Sequence, residues 1–281
     1  MEGWEQFLEQ NVSSYSDRTA FLHYVEKLGA INLPVIFCLD HLSLLLGIEL
    51  KYLTGMVMQT ESFYREFSIP KRSGGRRLIS APYPSLLHCQ QWISKNIASK
   101  IPVHESVHGF IPDRSVVTNA ETHLGCEWLL KIDIKDFFPS IDIQRIVWIF
   151  KKCGYARDVS FVLARLCTLK DKLPQGSAAS PTLSNIAFAR TDKRLRCLAD
   201  RWKVKYTRYA DDLTFSGHYI PSKFINIVYE ILQVEGFIPN KEKTRLIGPK
   251  GRKIVTGVSV SGKILKLPKA TKRQNFKINF A

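Results

Sequence analysis

Several things are scarce in this 281-residue chain. There is no C-x-x-C pair and no cysteine–histidine cluster among Cys38, Cys89, Cys126, Cys153, Cys167 and Cys197, which argues against a zinc site and for reduced, mostly buried thiols in a cytoplasmic protein. The opening Met1-Glu2-Gly3-Trp4-Glu5 has neither a basic n-region nor an apolar h-region, so no signal peptide is expected. The longest apolar run, Leu33 to Leu50, is interrupted by Asp40, His41 and Glu49 and reads as a core helix rather than a membrane span. No internal repeat or low-complexity linker is present. Acidic residues are also scarce: 25 Asp+Glu against 41 Lys+Arg give a net charge of +16. The shortage is uneven. Residues 1–60 carry a net −4, whereas residues 241–281 carry twelve Lys/Arg against Glu242 alone. A basic excess polarised along the chain points to a polyanionic partner, most simply nucleic acid.

What is present is an ordinary globular composition, 45% apolar and 23% charged, in a chain long enough for one large domain or two modest ones. The pattern over Lys205 to Gly217 is apolar and aromatic on both sides of Asp211-Asp212, which reads as strand, tight turn, strand. Adjacent carboxylates at a hairpin tip repel each other, and a divalent cation offsets that repulsion. A solvated turn would suit two aspartates equally well. Trp128 to Ile134 is a short apolar strand containing Asp133, a charge that needs a partner or a metal. Phe137-Phe138 follow and can wall it, and a strand-end cap is the plainer reading of Asp133 and Asp136.

Elsewhere, Phe63 to Ile79 reads as a hairpin with a cationic Gly74-Gly75 tip, where Lys71, Arg76 and Arg77 could meet a triphosphate or simply be solvated. Residues 1–60 look helical, with Ser16-Asp17 capping a helix from about Arg18. Further helices are expected over Leu86–Ile97, Asp142–Cys153, about Thr182–Ala199 and Ser222–Glu235. Asn119 and His123, four apart, can share a helix face, and such a histidine is usually structural. Leu173 to Pro181 is a loop of small residues that lets a planar ligand approach, or merely begins a helix. A last hairpin is expected over Ile254–Leu267, turning at Ser261-Gly262.

Taken in order, these stretches resemble reverse transcriptases, and among them the bacterial retron type, over roughly residues 60–268. Asp133 with Phe137-Phe138, Leu173-Pro174-Gln175-Gly176, Tyr209-Ala210-Asp211-Asp212, and Gly236-Phe237 with Lys243-Thr244-Arg245 match four motifs in sequence. Asn119-Ala120-Glu121-Thr122-His123 fits a retron N-A-x-x-H pattern and Val255-Thr256-Gly257 a V-T-G pattern. The resemblance implies an α+β right-hand polymerase with fingers, an antiparallel palm sheet and a short or absent thumb. It implies a helical segment at 1–60, fingers at 61–125, palm at 126–250 with a fingers-associated part near 150–180, and a palm-end hairpin with a basic stub at 251–281.

It further implies two Mg2+ ions on Asp133, Asp211 and Asp212. Nucleotide contacts fall at Lys71, Arg76, Arg77, Asp136, Phe138 and Gln175, with Phe138 as the aromatic gate against a 2′-hydroxyl. RNA contacts fall at Asn119, His123, Val255, Thr256, Gly257, Lys269, Lys272 and Arg273. The implied partners are dNTPs, a structured non-coding RNA serving as template and primer, its branched cDNA, and an accessory effector in antiphage defence, with no membrane. Alternatives that stay open are a group II intron-like or diversity-generating reverse transcriptase, and a weakly catalytic RNA-binding scaffold restraining an effector.

Overall fold

The computed structural model describes residues 2–70 and 74–267. In chain order the elements are α1 (Glu2–Asn11), α2 (Tyr15–Ala30), α3 (Leu39–Leu46), α4 (Leu50–Met58), β1 (Tyr64–Pro70), β2 (Arg76–Pro82), α5 (Pro84–Asn96), α6 (Val116–Thr122), β3 (Trp128–Lys135), α7 (Ile143–Cys153), α8 (Arg157–Cys167), α9 (Ser180–Arg201), β4 (Lys205–Tyr209), β5 (Asp212–Gly217), α10 (Ser222–Val234), β6 (Ile238–Ile247), β7 (Ile254–Val255) and β8 (Val258–Ser259). They form two compact units. One comprises residues 1–102 and 141–187, the other residues 103–140 and 188–281. The units interleave along the chain.

The first unit is mainly helical, with the β1–β2 hairpin attached. Its helices end where local chemistry dictates. Ser14 caps α2 through its hydroxyl, two residues earlier than the Ser16-Asp17 start expected. The apolar run from Leu33 is cut by Gly47, which takes a left-handed conformation (φ +64°) and closes α3 after Leu46. Asp142 caps α7 by accepting the Arg145 amide at 2.8 Å. Helix α8 was not expected from the sequence. Inside this unit, Gln90 is fully buried and donates to the Tyr64 hydroxyl (2.7 Å) and to the Leu166 carbonyl (2.9 Å), while its own carbonyl accepts from Ser177 Oγ (2.8 Å). A buried amide with all these partners is stabilising; with one removed it is costly.

The second unit is built on a four-stranded antiparallel sheet of order β4-β5-β3-β6. Alternation of apolar residues fixes its faces: Leu130, Ile132, Leu213, Phe215 and Tyr206 are buried. Helix α10 contributes Phe224, Val228, Ile231 and Leu232 to the core, as its stripe foretold. The terminal segment reverses twice: at Thr256-Gly257 between β7 and β8, and again over 261–264, the expected Ser261-Gly262 position, where Ser259 pairs antiparallel with Lys266. Thr256 and Gly257 hold positive φ (43° and 84°), and β8 then bridges to Lys266 through Ser259.

One buried ion pair stands behind the β4–β5 turn. Arg208, on β4, is 0% exposed, and its guanidinium forks onto Asp192 of α9 at 2.9 and 2.8 Å. A further nitrogen donates to the carbonyl of Ala210 at 3.1 Å, and the Phe188 ring lies 4.7 Å from the guanidinium carbon. Tyr206 also donates to Asp192 at 2.7 Å. Removing one charge leaves the other buried without a counterion. Asp192→Asn is expected to cost about 3–5 kcal/mol of folding stability in urea denaturation; a loss under about 1 kcal/mol would show that the pair is replaceable.

Candidate active site

Three acidic residues are brought together by strand register. In the β3–β5 ladder Asp133 lies directly across from Asp212, and the Ile134 amide donates to the Asp211 carbonyl at 3.0 Å. In the β4–β5 hairpin Tyr209 pairs with Asp212, so Ala210 and Asp211 form the turn. Ala210 is left-handed there, with φ +56°. That turn is clamped from two sides. The Arg208 guanidinium holds its carbonyl, and the 106–108 segment runs along β4, with His108 N–H donating to the Arg208 carbonyl at 2.8 Å. Gly109 is required at this point, since a Cβ would sit 2.7 Å from the Ala210 nitrogen.

The electrostatics follow from the crowding. Burial, then the charges of Asp212 and Asp133, push the Asp211 carboxyl up to about 6. Asp212 is raised as well, by burial first and by Asp133, with Lys131 and Lys243 opposing. Asp133 is turned to a cation already present: Lys243 Nζ lies 3.2 and 3.1 Å from its two oxygens, and Asn240 donates at 3.3 Å. Together Lys131, Asp133, Asp212, Lys243 and Arg245 line a cleft of about 250 Å³. Among the described residues, no three His, Cys, Asp or Glu side chains stand as a ready-made metal cluster. The donor set nevertheless fits a hard divalent cation, because it consists of carboxylate oxygens in mutual repulsion, one of them already ion-paired to an ammonium.

Phe138 is half-buried, with its ring 6.4 Å from Phe110 and 5.5 Å from the buried Phe137. Phe110 in turn lies 6.4 Å from Tyr209. Asp136 is exposed and takes φ +47°, and its carbonyl accepts from the Ser140 amide at 2.9 Å.

Arg76, Arg77 and Gln175 belong to the first unit. The two arginines are exposed on β2, and Arg76 donates to the Ser68 carbonyl. The Gln175 carbonyl accepts from the Ser80 amide at 2.8 Å, and Gly176 (φ +125°) packs so closely that a Cβ would fall 2.6 Å from the Ser80 oxygen. Small residues in this loop thus serve backbone contact with β2. Lys71, Lys269, Lys272 and Arg273 lie outside the described residues.

The expectation of RNA contact at Asn119, His123 and Val255 is corrected by their burial, at 1%, 0% and 0% exposure. The polar atoms of Asn119 and His123 are spent on other buried groups. Thr256 is half-buried and Gly257 exposed. Four participants were not singled out as site residues from the sequence: Asn240, Lys243, Asp192 and Lys131. An arginine in the middle of the apolar strand Tyr206-Thr207-Arg208-Tyr209 was the signal that a buried acid must exist somewhere.

The sheet and its acidic hairpin define the palm-and-fingers class of nucleic-acid polymerases. The model of the family described as reverse transcriptase (RNA-dependent DNA polymerase) matches residues 69–263. The Retron Ec86 reverse transcriptase of Escherichia coli is 33% identical over 239 residues, covering 84% of this chain and 75% of that protein. The Retron Mx162 and Mx65 reverse transcriptases of Myxococcus xanthus are 33% and 39% identical, covering 85% and 70% of this chain. This chain spans about half the length of those two, 56% and 51%. Among solved structures, a telomerase from Candida albicans covers 73% of this chain and 46% of its own at TM-score 0.50 and 13% identity, a likeness of fold. The chain belongs to the reverse transcriptase family, on its retron branch. Reverse transcriptases generally use divalent metal ions. Among the described residues, no helix is long and apolar enough to cross a membrane.

Holding Asp211 ionised in this buried, crowded place has a cost with a measurable sign. A carboxyl whose folded pKa is raised binds its proton more tightly when folded, so it costs stability as pH rises from the unfolded value near 4 towards about 6, and the full cost is present above that. In chelator, Asp211→Asn is expected to stabilise the protein by about 2–3 kcal/mol at pH 7.5, with the advantage fading as pH falls to about 4. Urea denaturation at the two pH values checks this, and a pH-independent difference would refute it.

Proposed function

We propose that this chain is an RNA-directed DNA polymerase of the retron type. It extends a primer on a structured non-coding RNA with dNTPs, and the RNA's own 2′-hydroxyl serves as primer, giving a branched RNA–DNA product. The observation that carries the reading is the register placing Asp133 across from Asp212 with Asp211 in the adjoining turn. Asp133 and Asp211, supported by Asp212, would hold two magnesium ions. When bound, such ions lower the pKa of the primer hydroxyl and neutralise charge on the transferring phosphoryl group.

The protein's own part is positional. The hairpin clamp fixes the two aspartates before substrate arrives, which avoids reorganisation during reaction. Lys243 compensates Asp133 in the metal-free site and must yield or share it when a divalent cation enters. Phe138 would exclude a 2′-hydroxyl by steric contact with the sugar. Arg76, Arg77 and Lys71 would neutralise the triphosphate, Asp136 would offer its backbone amide, and Gln175 would meet the incoming nucleotide. Cytoplasmic residence, an accessory effector and a role in antiphage defence complete the reading. The strongly basic composition supports a polyanionic partner.

With co-expressed RNA, purified protein should incorporate dNTPs in a magnesium-dependent manner, and Asp211→Ala should lower incorporation by at least about a thousandfold. Undiminished synthesis by that variant would sink the proposal. Replacing the gate, Phe138→Ala, should raise the relative kcat/KM for ribonucleotides by roughly tenfold to a hundredfold, read by competing rNTP with dNTP on one template. An unchanged ratio would remove Phe138 from that role.

A further inference from the structure

Two short sequence patterns, Asn119 to His123 and Val255 to Gly257, lie about 130 residues apart in the numbering, and the fold joins them through hydrogen bonds whose donors can all be assigned. The Thr207 hydroxyl donates to the Asn119 carbonyl oxygen at 2.5 Å, and a hydroxyl has one proton. The 2.7 Å contact between Thr207 Oγ1 and His123 Nε2 must therefore be donated by the histidine. The ring is neutral, since burial, followed by Lys205 and His108, pushes its pKa down to about 3. His123 Nδ1 is then a bare acceptor and takes the Ser216 hydroxyl proton at 2.7 Å. At the other end Asn119 Nδ2 donates to Thr256 Oγ1 at 3.4 Å, and the Thr256 hydroxyl donates to the Val116 carbonyl at 3.0 Å. Every proton in the chain runs in one direction, from β5 through His123 and β4 to the β7–β8 turn.

The surroundings suit a rigid link. His123, Thr207 and Ser216 are at most 2% exposed and Asn119 is 1% exposed, where an unmade hydrogen bond is costly. Helix α6 touches β4 as well as β7 and β8. Ala120 of α6 shares an apolar cluster with Leu129, Val255, Val258 and Val260. Thr207 stands two residues before Tyr209, whose partner across the hairpin is Asp212. The turn at the far end of the relay is the part that reaches solvent, through Gly257.

We propose that Ser216, His123, Thr207, Asn119 and Thr256 form one directional relay that holds the Thr256-Gly257 turn, as a contact for the primed template, in register with the Asp211-Asp212 hairpin. The inference rests on the polymerase reading above. In it Asn119 and His123 are positioning residues that never touch RNA themselves, and only the turn does. A relay of this kind acts on how the nucleic acid is seated and not on how the dNTP binds.

Thr207→Val removes the hydroxyl at nearly constant volume, and Thr207→Ser keeps it. Two readouts separate this proposal from the polymerase reading. The first is amide hydrogen exchange, which needs no activity. Thr207→Val should speed exchange at the Ser259 and Val260 amides by about tenfold while amides of β6 stay unchanged, and Thr207→Ser should restore the wild-type rate. The second is steady-state kinetics: the KM for primed RNA should rise by about tenfold with the dNTP KM within about twofold. Exchange confined to β4 and β5, or equal rises in both KM values that Thr207→Ser does not reverse, would overturn the relay. A wild type that incorporates no dNTP would sink the polymerase reading, and exchange would still decide the coupling. If Thr207→Val does not fold, Thr256→Val against Thr256→Ser at the half-buried turn gives the same comparison, and the same results support or overturn the relay.

Discussion

The structure of the second unit depends on keeping mutually repelling carboxylates at the tip and edge of one hairpin. The antiparallel register does this by geometry: Asp133 and Asp212 are paired positions, and Asp211 is the next residue along. A slip of one residue would turn every side chain of β5 to the opposite face, carrying Asp212 away and Leu213 and Phe215 out of the core. Burial of those apolar residues therefore enforces the acidic arrangement. The second restraint is Arg208, whose guanidinium satisfies Asp192, caps the Ala210 carbonyl and lies against Phe188. A turn held this way from behind keeps Asp211 buried and close to Asp212 and Asp133, and burial first, then those two charges, raise its pKa.

The legible part of this arrangement was local. Alternation around Asp211-Asp212 gave the β4–β5 hairpin, and the apolar run into Asp133 gave β3, because period-two patterning responds to one buried face and needs no tertiary information. The fold class followed from motif order. What could not be read was partnership at a distance. Lys243 and Asn240 belong to a strand whose pairing with β3 includes a register shift between Lys131 and Asp133, and no local pattern announces a bulge. Asp192 sits in a long helix among charged residues and looks solvated in sequence, yet it is 0% exposed. The reversal at Ser261-Gly262 was legible because that is a good turn dipeptide, whereas the earlier turn at Thr256-Gly257 was not, since it needs a threonine in a left-handed conformation held by a hydrogen bond to α6.

Burial also changed what the N-A-x-x-H pattern means. A histidine beside an asparagine invites a surface reading, since both are versatile recognition side chains. Here the two are consumed by Thr207, Ser216 and Thr256, and their chemistry is that of an interior network with every donor assigned. Such networks give uniqueness to a core that apolar packing alone would leave free to shift. A short two-stranded hairpin such as β7–β8 has too few ladder bonds to fix itself, so it needs the attachment.

The cleft beside the acids reconciles two opposing demands. On the proposed function, a site that gathers carboxylates would repel a polyanionic template and a triphosphate, yet this chain is strongly basic. The lining resolves the conflict at short range: Lys131, Lys243 and Arg245 alternate with Asp133 and Asp212. At the side-chain separations seen here, 3.1 to 3.2 Å for Lys243 to Asp133, the pair interaction outweighs the screened field of distant charges. The acids are thus compensated locally while the chain as a whole keeps its basic excess. On the proposed function, a divalent cation entering beside Asp133 would compete with an ammonium already in place, so metal affinity would be set against that ion pair. Lys243 is 55% exposed, so on the proposed function a cation displacing it from Asp133 would leave its ammonium at the solvent-facing side of the cleft.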